Sequence, residues 1–140
     1  MALDAAAPVR LHPLHALLLA FPVGFFPAAL AADITYLNSA EMQWSNFASW
    51  AITGALIVGA PALAWSVLRA LPGKARGRWI VPLLLAVAWA AGLLNAFGHS
   101  RDAWSSVGTT GLLLSVVSTV AILAAGWLAF AAPVRGGLAR

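Results

Sequence analysis

The 140-residue chain contains no cysteine. That excludes disulfides, thiolate nucleophiles and cysteine-held zinc or iron–sulfur centres. Charge is nearly as scarce: charged residues make up 9% of the chain, where a soluble domain carries about 25%. Hydrophobic residues reach 62%, so the chain could not cover its own surface in water. With four acidic residues in all, no paired carboxylates stand ready for acid–base chemistry. No nucleophile–base pair or phosphate-cradling loop appears either, and the chain reads as no enzyme. The net charge of +4 would suit nucleic acid by amount but not by position, and no nucleic-acid partner is expected.

The few charges act as punctuation. Residues 11–32 carry no charge, and about 20 apolar residues at 1.5 Å each span a bilayer core of about 30 Å. Three more apolar runs follow, closed by Arg69, Lys74, Arg76 and Arg78, then by Arg101 and Asp102, then by Arg135 and Arg140. Lipid offers no partner to a bare backbone N–H or C=O, so such runs become helices. The expectation is an all-α polytopic membrane protein: one domain over residues 1–140, a four-transmembrane-helix bundle with short loops, its helices at about 14–36, 46–70, 78–98 and 106–132. Four crossings put both termini and the central loop on one face. That face collects every basic residue except Arg101, and basic residues stay cytoplasmic; both termini are therefore expected inside. Residues 1–32 also have the make-up of a secretory signal, with Ala29 and Ala31 ahead of Asp33. The length of the apolar run and its interruption by Pro22 and Pro27 argue instead for a retained helix.

The first helix carries the most distinctive stretch, RLHPLHALLLAFPVGFFPAALAADITYL from Arg10. Pro13 suits a first helical turn, having no N–H to waste there. His15 and Asp33 are five helical turns apart and so share a face, with Pro22, Phe26 and Ala29 on nearly the same stripe. That stripe should face the bundle. His12 and His15 are candidate cofactor ligands, and a haem b held by histidine is the alternative they raise. The plainer reading has them organising a helix end: no third or fourth ligand accompanies them on that side, and His99 falls at the opposite face, a bilayer core away. No cofactor and no metal is therefore expected.

The segment HPLHALLLAFPVGFFPAALAAD resembles the signature of a bacterial family of four-helix integral membrane domains of unknown function, close to HPxHPxxxxFPxG followed by small residues and Asp. Its motif positions here are His12, Pro13, His15, Phe21, Pro22, Gly24 and Asp33, and GWLAFAAPVRGG is similar to the family's ending. The resemblance implies a bacterial inner-membrane location and, because family members occur alone or joined to periplasmic sugar dehydrogenases and cytochrome c-type domains, a link to respiratory electron transfer. Ala16 stands where a second proline is usual, Ala20 where many members carry a histidine, and RWIVPLLL lacks a histidine at the start of helix three. These departures weigh against carrying over a histidine-held cofactor.

Small residues four apart mark helix-packing seams, since small side chains let backbones approach closely in lipid. They are Ala51, Ala55 and Gly59 in helix two, Ala88, Gly92 and Ala96 in helix three, and Gly111, Ser115 and Thr119 in helix four. Near the outer face gather Asp33, Asn95, His99, Arg101 and Asp102, where Asp33 is expected to pair with His99 or Arg101 and tie helix one to helix three. The run Arg69, Lys74, Arg76, Arg78 serves as topology signal and as a surface for anionic lipid head groups. The functional expectation is a non-catalytic accessory subunit, anchor or assembly partner in contact with the bilayer and with other membrane subunits or its own copies. The alternatives are a haem- or quinone-linked redox subunit and a small oligomeric transporter.

Overall fold

A computed structural model describes residues 11–71, 79–101 and 108–131. It has four helices: α1 Pro13–Ser39, α2 Met42–Ala70, α3 Ile80–His99 and α4 Thr109–Phe130. All four are long and apolar enough to cross a membrane, and no strand occurs among the described residues. The protein is an all-helical membrane protein. Its outward surface makes sense only in lipid. Trp50 and Trp127 are 78% and 77% exposed, and Leu17, Ile57, Leu68, Leu94, Phe97 and Val120 also point outward, a far larger apolar surface than a water-soluble monomer shows.

Each helix packs on its sequence neighbour, and α1 closes the ring against α4. The centre of α1 organises this packing. Pro22 lies against Gly59 of α2, Val23 against Gly126 of α4, Phe25 against Gly54 of α2 and Phe26 against Gly92 of α3. Side chains within five residues of one helix thus seat on glycines of the other three. The approach is closest at Gly92, where a Cβ would stand 2.5 Å from Phe26 Cε1. Around these contacts lies a core of Leu19, Ile52, Leu56, Leu85 and Ile122, completed by Ala29, Ala55, Ala88 and Ala125. A gap lined by Pro22, Phe26, Gly59, Leu85, Ala88, Trp89 and Ile122 measures only about 10 Å³, room for at most a single water.

The helix ends differ from the sequence expectation in instructive ways. α1 runs to Ser39 and α2 starts at Met42, so their connection is far shorter than the gap of 37–45 expected. The turn is made by Ala40 at φ 56°, whose N–H returns to the Tyr36 carbonyl. That left-handed position usually goes to glycine or asparagine, so an alanine there gives no warning of a tight turn. α3 begins two residues later than expected and α4 three later, after Gly108. The start of α1 follows its sequence closely: His12 caps it, its Nδ1 accepting from the Leu14 N–H at 3.2 Å, and Pro13 fills the first position.

Candidate functional site

α1 carries polar groups at its two ends, and the two ends form clusters with different partner helices. His15, Leu19, Pro22, Phe26, Ala29, Ala32 and Asp33 are the buried residues of α1, so the stripe through His15 and Asp33 lies inside the bundle. Phe21 and Gly24 of the same motif point outward, and nothing lies within 4 Å of where a Gly24 Cβ would be.

At the first end, His15 is 3% exposed and stacks on Trp65 of α2, the rings 5.6 Å apart and 6° from parallel. Its Nε2 lies 3.2 Å from the Ala62 carbonyl oxygen and 3.0 Å from Ser66 Oγ. A carbonyl only accepts, so Nε2 carries the hydrogen, and His15 Nδ1 is left buried without a partner among the described residues. His12 meets the same Trp65 at 5.3 Å. Ser66 did not stand out in the sequence; the signal was only its helical spacing near Arg69 in an apolar run. Among the described residues no three His, Cys, Asp or Glu side chains come together as metal ligands. His15 Nε2 is turned to a carbonyl and its Nδ1 is sealed inside the protein, so in this arrangement His15 offers no nitrogen lone pair to an open site.

The second end is the more elaborate. Asp33 of α1 is wholly buried. Its Oδ1 lies 2.9 Å from His99 Nε2 at the end of α3, and its Oδ2 accepts from the Ser115 hydroxyl of α4. Ser115 Oγ in turn accepts from Asn95 Nδ2 at 2.7 Å. His99 Nδ1 lies 3.0 Å from the Asn95 carbonyl oxygen, an acceptor only, so Nδ1 carries a hydrogen. One hydrogen then remains to be shared between His99 Nε2 and Asp33 Oδ1, and with it the pair is neutral as a unit. Three helices are tied in this way by four side chains, all of them shielded from solvent. Asn95 Oδ1 and, one turn further along α4, Thr119 Oγ1 are buried without partners among the described residues.

Asp33, Asn95 and His99 are therefore brought together, and Arg101 is not part of the cluster: it is exposed, and the ion pair of Asp33 is with His99. Asp33 is completely buried, and α1 continues beyond it to Ser39. Ser115 is the member that the sequence hid. It looked like one small residue of a packing seam, and only its hydroxyl distinguished it from an alanine. Of the other seam positions, Ala55, Gly59 and Gly92 are buried and Gly111 is half-buried, while Gly54 and Gly126, unmarked in the sequence, make closer contacts than Gly59. Lys74, Arg76, Arg78 and Asp102 lie outside the described residues; Arg69 is exposed in the last turn of α2.

Against known proteins, the family model described as a predicted membrane protein, DUF2231, matches residues 11–139. No curated protein and no solved structure matches the chain.

Proposed function

Because the chain belongs to the DUF2231 family of predicted membrane proteins, we propose that it works as a non-catalytic subunit of a larger membrane assembly, an anchor or assembly partner free of haem and metal. One observation carries this reading: the buried ionisable side chains, Asp33, His99 and His15, are each engaged by polar neighbours inside the bundle. Asp33, His99, Ser115 and Asn95 form one set and His15 with Ser66 another, leaving the apolar exterior as the surface the protein offers. Exposed aromatic side chains such as Trp50 and Phe47 are residues suited to helix contacts and to lipid boundaries. In a bacterial inner membrane, the basic run Arg69, Lys74, Arg76, Arg78 would hold both termini in the cytoplasm.

The test is purification from native membranes in mild detergent, followed by re-purification through a tag on the co-purifying protein. A partner retained at fixed ratio is expected, together with an absorption spectrum free of a Soret band. A chain that stays alone, or that carries stoichiometric haem, would overturn the reading. Orientation is checked with single cysteines at Ser39 and Gly73 and an impermeant thiol reagent: Ser39 is expected to react from outside and Gly73 not.

A further inference from the structure

The hydrogen bonds around Asp33 have a direction, and it leads to one vacancy. Asn95 N–H donates to Ser115 Oγ, the Ser115 O–H donates to Asp33 Oδ2, and His99 Nδ1–H points at the Asn95 carbonyl. The only place left for a labile hydrogen is the 2.9 Å space between Asp33 Oδ1 and His99 Nε2. Taking that proton away leaves two lone pairs facing each other and a bare negative charge. Adding a second one leaves a net positive charge. Both states put an uncompensated charge where Asp33 has no exposed surface and His99 has a side chain 1% exposed, which lipid-shielded protein strongly disfavours.

We propose that Asp33 and His99 form a single-proton site that clasps α1 to α3, and that opening this end of the bundle to water is coupled to release of that proton. The ionisable side chains near this end, among the described residues, are few. α1 brings Asp33 and the half-buried Tyr36, the turn before α2 brings the exposed Glu41, α3 ends with His99 and the exposed Arg101, and α4 brings none. The hydrogen bonds of the clasp run to Ser115 and Asn95, neither of which ionises. In the opened state, water-exposed imidazole gives up its proton to solvent above about pH 6.5 while the carboxylate stays ionised. The closed state then holds one proton more than the open state, so the open fraction rises by about tenfold per pH unit above about 6.5.

Asp33→Asn reverses the sign. The amide can accept from Ser115 through its oxygen and donate to a neutral His99 Nε2 through its nitrogen, so every hydrogen bond survives with no labile proton. Its closed state holds one proton fewer than the open state below about pH 6.5, and opening is then favoured by acid instead of base.

The absence of cysteine makes the measurement direct. Ala32→Cys, a buried position beside Asp33, is labelled with a thiol reagent in nanodiscs from pH 5 to 9, and each rate is divided by that of a free thiol at the same pH. Expected is a corrected rate that climbs with pH when Asp33 is present and falls with pH when Asp33→Asn is added. The thermal midpoint of the protein without the reporter, with and without Asp33→Asn, should show the same opposite trends and stands in if the cysteine disturbs folding. Parallel pH profiles in the two backgrounds, by either readout, would overturn the single-proton site. The partner test above is unaffected by that outcome.

Discussion

Gly92 and Gly24 stand in opposite surroundings on the same scaffold. A methyl group at Gly92 would meet the Phe26 ring at 2.5 Å, and a ring wedged between helices cannot retreat without opening a gap elsewhere. Gly92→Ala is expected to cost about 1–3 kcal/mol, the usual range for overpacking. Gly24→Ala adds a methyl with nothing within 4 Å and gains helix propensity, about 1 kcal/mol in water. Thermal midpoints in detergent check the pair: Gly92→Ala should fall, while Gly24→Ala should hold or rise. Equal midpoints would remove Gly92 from its place at the centre of the packing. The sequence marked both glycines but could not tell them apart, because a motif glycine and a seam glycine look alike until a neighbouring ring is placed. His15 shows the same limit. Its position on the inner stripe followed from helical periodicity, but its partners, a carbonyl of Ala62 and the plane of Trp65, depend on how α2 is rotated, and that is decided by the fit of Pro22 and Phe25 onto Gly59 and Gly54.

Prolines interrupt α1 at Pro22 and Pro27 and α2 at Pro61. Pro61 removes one backbone donor from α2 and leaves the Ile57 carbonyl without its usual partner; one residue earlier, the Leu56 carbonyl accepts from Trp89 Nε1 of α3 at 3.0 Å. This bond links α2 to α3 at mid-bundle, where the remaining contacts are apolar. Trp89→Phe keeps most of the ring but deletes the donor. It should lower stability by about 0.6 kcal/mol, the average for an interhelical hydrogen bond in membranes, and by no more than about 1.7 kcal/mol. Reversible unfolding in mixed micelles measures it, and a loss well beyond that range would mean that the indole is chiefly a packing element. Helix existence was legible from the spacing of charges because lipid enforces helices wherever charge is absent. Helix ends were not, since Ala40 turns the chain without glycine and charged Glu41 caps α2 with no side-chain bond.

At the scale of the molecule, the sequence announced four crossings, and the closed ring of helices follows from short loops and small-residue seams. What it did not announce is that the two polar clusters divide the labour, His15 joining α1 to α2 and Asp33 joining α1 to α3 and α4. Asp33, Asn95 and His99 were visible as polar residues at one face. Their union through Ser115 depends on which helix α4 meets there: the small-residue seam turned Ser115 toward a neighbour but did not say that the neighbour would be Asp33 of α1.

The Asp33–His99 pair joins residues 66 positions apart, and this has a bearing on how the protein is made. Synthesis proceeds at roughly 5–20 residues per second, so α1 waits for several seconds in the insertion machinery or the bilayer with an acid and no counterpart. Ser115 arrives later still, 82 positions after Asp33. During that interval the nascent chain displays a signal of incompleteness that only the arrival of α3 and α4 can silence, and a chain that stops early keeps displaying it. A truncation ending at Leu71 should therefore be cleared by membrane proteases faster than the same truncation bearing Asp33→Leu, while in the full-length chain Asp33→Leu should shorten the lifetime by stranding His99 and Ser115. Pulse-chase half-lives in cells decide it; if the substitution changes lifetime in the same direction in both lengths, the buried acid is not what quality control reads.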